Sequence, residues 1–223
     1  MAFLKAEKLV KEYKRRGKIF RAVNDIDFSI DAGEFVMIEG ESGSGKTTFL
    51  NLLTGLTDPT SGAVKIDGKE LKNAGDKEIS RIRNENIKYI PQGESLLSAL
   101  TVKENILFPF TIGGTKRPSE ERLIEVAEKL GITELLDEYP SELSGGEMRR
   151  ATIARAVINK PSLIIADEPT GSLDSVNTSK VMGIFKNIAS EGTAVLVVTH
   201  QKETLGYASK VFEMEQGSLK KVI

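Results

Sequence analysis

A chain of 223 residues is long enough for one large domain or two small ones, and 39% hydrophobic against 28% charged residues is an ordinary globular balance. Thirty-one Lys and Arg against thirty-two Asp and Glu leave a net charge of -1, so no overall positive field favours nucleic acid or an anionic membrane. Cys is absent, which excludes disulfides and thiolate metal sites within these residues and points to a reducing compartment.

In chain order, Leu4 to Tyr13 and Ala22 to Ile30 alternate as strands do, and Phe35 to Ile38 is a short apolar strand that runs into a Gly-rich loop. Lys46 to Leu53 has a helical pattern, with Phe49, Leu50, Leu52 and Leu53 on its apolar side. Ala63 to Ile66, closed by Asp67-Gly68, reads as an edge strand and turn. Ile87 to Ile90 reads as a strand stopped by Pro91. Val102 to Phe108, Ser119 to Leu130 and Gly146 to Ile158 read as helices, separated by Gly113-Gly114 and Tyr139-Pro140. Beyond Pro161, the apolar strands Leu163 to Ala166 and Ala194 to Val198 bracket a helix over Val176 to Ala189.

Four or five consecutive Leu, Ile or Val suit strands buried on both faces, as in a parallel sheet covered by helices. The expectation is a single α/β domain over residues 1–223, with a helical insert at about residues 93–159. There is no internal repeat, low-complexity tract or interdomain linker. Charge at Lys5, Glu7 and Lys8 comes too early for a signal peptide, and no run of about 18 apolar residues is present for a spanning helix. The chain is expected not to cross a membrane, although it could sit against one.

Gly40-Glu41-Ser42-Gly43-Ser44-Gly45-Lys46-Thr47 fits G-x-x-x-x-G-K-[ST] between a strand and a helix, the context that motif requires. The glycines let successive N–H groups turn inward around phosphate oxygens, and the helix N-terminus adds free donors and its dipole. Lys46 would supply charge to the β- and γ-phosphates and Thr47 a hydroxyl to Mg²⁺. The plainer reading is a Gly-rich turn with a capping Thr. Asp167 and Glu168 end the apolar strand Leu163 to Ala166, where open α/β sheets bind ligands. Asp167 could hold Mg²⁺ through water and Glu168 could polarise the attacking water; alone, the pair would be a solvated strand end.

Leu143-Ser144-Gly145-Gly146-Glu147 opens another helical run. Ser144 with Glu147 has the spacing of a capping box, which is the bland reading. Two glycines in a first turn cost roughly 1 kcal/mol each relative to Ala, yet they let another surface approach the backbone. Such a terminus either completes the phosphate cradle or serves a copy in another chain.

These motifs together resemble the ATP-binding-cassette ATPases over essentially the whole chain, and Leu143 to Glu147 is similar to their signature motif. The resemblance implies a P-loop NTPase core whose mostly parallel sheet is flanked by helices, an N-terminal antiparallel β subdomain and an inserted helical subdomain. It implies ATP and Mg²⁺ as cofactors, bound by the phosphate loop from Gly40 through Thr47 to Thr48. Tyr13 matches the aromatic that stacks on adenine, and Gln92 the glutamine that reaches Mg²⁺ and the water. Asp174, in Ser172-Leu173-Asp174, matches the loop that crosses between subunits. His200 matches the histidine that holds the γ-phosphate.

The implied catalytic set is Glu168, His200, Gln92 and Lys46. The implied metal ligands are Thr47, Gln92 and Asp167. Two copies are expected to pack head to tail, each ATP lying between one copy's phosphate loop and the other's Ser144, Gly145, Gly146 and Glu147. Polytopic membrane permease subunits are the further partners, with no nucleic acid, at the cytoplasmic face of the cell membrane.

Ala166 to Asp174 and Tyr139 to Leu143 resemble the branch serving lipoprotein release, macrolide and haem export and antimicrobial-peptide resistance, and the end at Ile223 is expected to leave no regulatory C-terminal domain. Met148, Ser172 and Gln201 depart from that branch's pattern. Arg149, Arg150 and Arg155 are expected in surface or interface ion pairs, and Leu96, Leu97, Leu100 and Phe108 either receive a helix of the membrane subunit or pack in the core. A soluble ATPase of translation or DNA repair, or a cassette that binds ATP without turnover, would be the alternatives.

Overall fold

The computed structural model describes residues 2–15, 17–73, 75–93, 95–113 and 117–223. The N-terminal alternation folds into a long antiparallel hairpin of β1 (Leu4–Arg15) and β2 (Lys18–Ile30), its inner face carrying buried Leu4, Ala6, Leu9, Ile26, Phe28 and Ile30. β3 (Phe35–Glu39) is buried throughout and leads to α1 (Lys46–Leu53). Next come β4 (Ser61–Ile66), β5 (Lys69–Glu70), α2 (Asp76–Glu85) and β6 (Ile87–Ile90). Three helices follow: α3 (Val102–Gly113), α4 (Glu120–Leu130) and α5 (Gly145–Val157). The chain finishes with β7 (Leu163–Asp167), α6 (Ser175–Ser190), β8 (Ala194–Thr199), β9 (Lys210–Glu215) and β10 (Ser218–Lys221).

Two sheets result. The antiparallel one has the order β2-β1-β4-β5 and the other β10-β9-β3-β8-β7-β6, parallel except for the β9–β10 pair. This is the α/β fold expected, with the N-terminal antiparallel sheet. The apolar runs of the parallel strands split by parity. Phe35, Met37, Ile164, Ala166, Val195 and Val197 enter a core with α3, α4, α5 and α6. Val36, Ile38, Leu163, Ile165, Leu196 and Val198 face α1 and the antiparallel sheet. The helices between residues 93 and 159 therefore share the sheet's core. Within that insert, Gly114 of the expected separator lies outside the described residues.

Some elements differ from expectation. β4 is not wholly an edge strand, because β5 pairs with Lys65 and Ile66. The first helix of the insert continues through Pro109 to Gly113; the missing N–H costs it one ladder bond but does not end it. α2, β5, β9 and β10 are additional. α2 carries little apolar signal beyond Ile79 and Ile82, and β9 and β10 are short strands, β9 pairing with the distant β3 and β10 only with β9. Among the described residues no helix is long and apolar enough to cross a membrane.

Candidate active site

The carboxyl ends of β3, β8 and β7 lie level, since Glu39 pairs with Thr199 and Asp167 with Val198. The loop after β3, the acidic pair ending β7 and the residue following β8 thereby meet over one cavity of about 1030 Å³. Its wall includes Ser42 to Thr48, Gln92, Asp167, Glu168, His200 and Tyr13.

The loop after β3 is held open by packing. A Cβ on Gly45 would overlap the Ala22 carbonyl oxygen, and one on Gly40 would overlap that of Met214. Gly45 also sits at φ 110°, in left-handed space, as the N-cap of α1. Lys46 is buried and spans its own loop, its Nζ donating to the carbonyl oxygens of Gly40 at 2.7 Å and Glu41 at 2.8 Å. Ser44 Oγ is buried beside this loop with no hydrogen-bond partner. A polyphosphate fits such a cradle: oxygens suit the orphaned hydroxyl, the free N–H groups of α1 and the lysine.

Thr47 Oγ1 donates to Asp167 Oδ2 at 3.1 Å, and the Tyr89 hydroxyl donates to the same oxygen at 3.2 Å. Burial pushes the Asp167 carboxyl up from its ordinary value, against the downward pull of these two donors. Tyr89 is likewise pushed up, by burial first and then by Asp167. Thr47, Asp167 and Gln92 offer a hydroxyl, one carboxylate and one amide, a sparse set suited to a hard cation that shares its coordination with phosphates and water.

Glu168 is buried, with a left-handed φ of 48° unusual for its type. Its N–H donates to the Val198 carbonyl at 2.9 Å. Its Oε1 lies 2.9 Å from His200 Nδ1, and the His200 backbone N–H donates to Oε2 at 3.4 Å. With Nδ1–H donating to the carboxylate, Nε2 remains for another partner. Tyr13 is 38% exposed and tilted over Phe20, their centroids 5.8 Å apart.

Ser144, Gly145, Gly146, Glu147 and Asp174 stand apart from this cavity. Ser144 caps α5 in a capping box, its N–H donating to Glu147 Oε2 at 2.8 Å and its hydroxyl to the same oxygen at 2.7 Å. Ser144 and Gly145 are exposed but Gly146 is buried, because Asn177 of α6 occupies the space a Cβ would need. Asp174 caps α6 and steers that Asn177, accepting from its backbone N–H at 2.8 Å and its Nδ2 at 2.7 Å. The Ser144 end of α5 is therefore exposed and lies outside the cavity lined by the chain's own glycine loop.

Residues 23–171 match the ABC transporter family. This chain belongs to the ABC transporter family. It is 41% identical to a bacitracin export ATP-binding protein of Halalkalibacterium halodurans, over 98% of this chain and 87% of that protein. It is 41% identical to the lipoprotein-releasing system ATP-binding protein LolD of Aquifex aeolicus, over 90% of each. The dimeric, post-hydrolysis structure of the ATP-binding cassette MJ0796 bound to ADP and Pi superimposes with a TM-score of 0.87 at 33% identity, covering 99% of both chains. The protein is an ABC transporter ATPase subunit: it binds ATP and hydrolyses it.

Within this ABC cassette several contacts were not legible from motifs. Phe20, Arg21 and Ala22 of β2, and Gln216 and Gly217 of the β9–β10 turn, also line the cavity. Tyr89 reaches Asp167 because β6 lies beside β7, and no local pattern states that neighbourhood. For Arg149 and Arg155 of α5 the expected ion pairs give way to hydrogen bonds. Among the described residues Arg149 and Arg155 form no ion pair; burial desolvates both, and a guanidinium there satisfies its planar donors on oxygen acceptors of the preceding loop. Arg149 Nη1 donates to the Pro91 carbonyl at 3.4 Å, and Arg155 donates to Ser95 O and Oγ at 2.8 Å each. α5 is thus bonded to both sides of Gln92. Of the expected docking residues, Leu97 is 40% exposed, while Leu96, Leu100 and Phe108 are half-buried.

Proposed function

We propose that two copies of this subunit close head to tail around two ATP, each copy's Lys46 loop completed by its partner's Ser144-Gly145-Gly146 terminus. The supporting observation is the separation of two anion-binding helix ends: α1 opens into the cavity, whereas the Ser144 end of α5 lies outside it. In this reading Lys46 exchanges its contacts with Gly40 and Glu41 for phosphate oxygens, and Ser44 Oγ gains its missing partner. Tyr13, backed by Phe20, takes the base. Mg²⁺, when bound, neutralises phosphate charge; Thr47, Asp167 and Gln92 would hold it. Glu168 polarises the attacking water, and His200, oriented by its Nδ1 bond to Glu168, presents Nε2 to the transferred group. Asp174 acts indirectly, by setting the loop that faces the partner.

The engine drives polytopic permease subunits, which hold it at the cytoplasmic face of the membrane. Leu97 and the half-buried Leu100, in the segment that follows Gln92, are the docking candidates, so a permease movement would reach the nucleotide along that segment. The bacitracin-export and lipoprotein-releasing relatives support export or lipoprotein release through the permease as the work this engine drives.

Glu168→Gln tests the catalytic assignment. It is expected to retain ATP affinity, lose at least about 100-fold in turnover and accumulate an ATP-dependent dimer on size exclusion. Turnover equal to the parent would remove Glu168 from the water-activating role. Purification in mild detergent should bring down polytopic subunits; a ribosome-bound pool would instead support a soluble role.

A further inference from the structure

We propose that Gln201 is a positioning residue that clasps Thr170 and so sets the His200–Glu168 contact from outside the cavity. The proposal rests on the roles given above to Glu168 and His200, and extends them to a residue that touches neither the cavity nor the nucleotide. Gln201 follows His200, and Thr170 lies two residues beyond Glu168, so a bond between them ties together the loops that leave β8 and β7.

The clasp has two points. Thr170 Oγ1 donates to Gln201 Oε1 at 2.6 Å, and Gln201 Nε2 donates back to the Thr170 carbonyl at 3.4 Å. Thr170 is fully buried, so this exchange has no water to compete with it. Gln201 is itself anchored on both sides. Its N–H donates to Thr199 Oγ1 at 3.0 Å, and its carbonyl accepts from Thr204 Oγ1 at 2.7 Å.

The chemistry selects an amide. A carboxylate at 201 would accept from the Thr170 hydroxyl, but it would set a lone pair against the Thr170 carbonyl and add a second negative charge near Glu168. An amide both accepts and donates. Its importance follows from Glu168, whose left-handed backbone holds only if its surroundings over-determine it. The Thr170 carbonyl also accepts the Leu173 N–H at 3.0 Å, so the same clasp reaches the Ser172-Leu173-Asp174 loop assigned above to the proposed dimer contact.

The test exploits His200 as the only histidine in the chain. In ¹⁵N-labelled protein without nucleotide, one imidazole spin system reports the ring directly, and the parent is expected to show the Nδ1–H that the Glu168 contact requires. Gln201→Ala and Thr170→Val are expected to move both nitrogens toward tautomer averaging. Each should lower kcat for ATP about tenfold with KM within about twofold, as small misplacements of catalytic groups do. Thr170→Ser, which keeps the hydroxyl, should match the parent, and the double variant should lose no more than either single one.

An unchanged imidazole spectrum in Gln201→Ala, or fully additive losses in kcat, would overturn the proposal. Glu168→Gln run in parallel separates the two readings: if it turns over normally the catalytic assignment fails, while the imidazole spectrum still decides the clasp. Should Gln201→Ala not fold, the Thr170→Val and Thr170→Ser pair gives the same decision.

Discussion

Gly40 and Gly45 satisfy a motif, but the physical demand on them comes from elsewhere in the chain. The Ala22 carbonyl of β2 and the Met214 carbonyl of β9 press against the loop, leaving no volume for a side chain. Gly45→Ala combines that overlap with a φ of 110°, and should cost at least about 2 kcal/mol. Gly43 also has positive φ, at 84°, but nothing lies near its Cβ direction, so Gly43→Ala should cost only about 1 kcal/mol. Urea midpoints with unchanged m values would measure the difference; equal losses would show that backbone strain alone sets the cost. Lys46, Thr47, Asp167 and Glu168 were legible from motif and strand pattern, His200 only through the family resemblance, and all five gather in one cavity. Phe20 and Tyr89 were not, since they join the site through strand neighbourhood rather than through a local pattern.

At the level of elements, the helix starts and one buried amide organise the loops around the site. Asn105 of α3 is fully buried and binds the loop before it four times: its Oδ1 accepts from Leu97 N at 2.7 Å, and its Nδ2 lies 3.0 Å from each of the Leu97, Leu100 and Thr101 carbonyls. Asn105→Ala leaves those groups unmet and should destabilise by about 3 kcal/mol on chemical denaturation. The caps carry a pH signature. Hydrogen bonds from Asn177 hold the Asp174 carboxyl below its ordinary 3.8, and those from Ser144 hold Glu147 below 4.5. Both acids are depressed in the folded state, so their contribution is complete above those ordinary values and disappears as pH falls through the lower folded ones. Hydrogen exchange should show the first turns of α5 and α6 fraying in that acid window. Asp174→Asn, which keeps an acceptor but does not titrate, should abolish the pH dependence at α6 alone.

On the scale of the whole molecule, one sheet serves two cores, so the helices between residues 93 and 159 are expected to unfold with the rest rather than as a separate step. The exposed Ser144 terminus makes a sharper prediction for the assembly. Chains carrying Lys46→Ala, and separately chains carrying Ser144→Arg, should each be inactive alone. Mixed in equal amounts they should recover roughly a quarter of parental turnover, because half of randomly assorted dimers contain one intact composite site of two. No recovery would mean that each copy completes its own site.

Local physics was written in the chain itself: apolar runs for buried strands, helical periods, caps, and a glycine loop between strand and helix. These depend on neighbours a few residues apart; they determined the fold class and pointed to the glycine loop, and the motifs together carried the resemblance to the ATPase family. Strand order, the Tyr89–Asp167 bond, the placement of Arg149 and Arg155 on the Gln92 segment, and the Asn177 contact that excludes a side chain at 146 were decided only by the tertiary structure. Each joins residues brought together by burial of non-local surface, and such contacts leave no periodic mark on either segment.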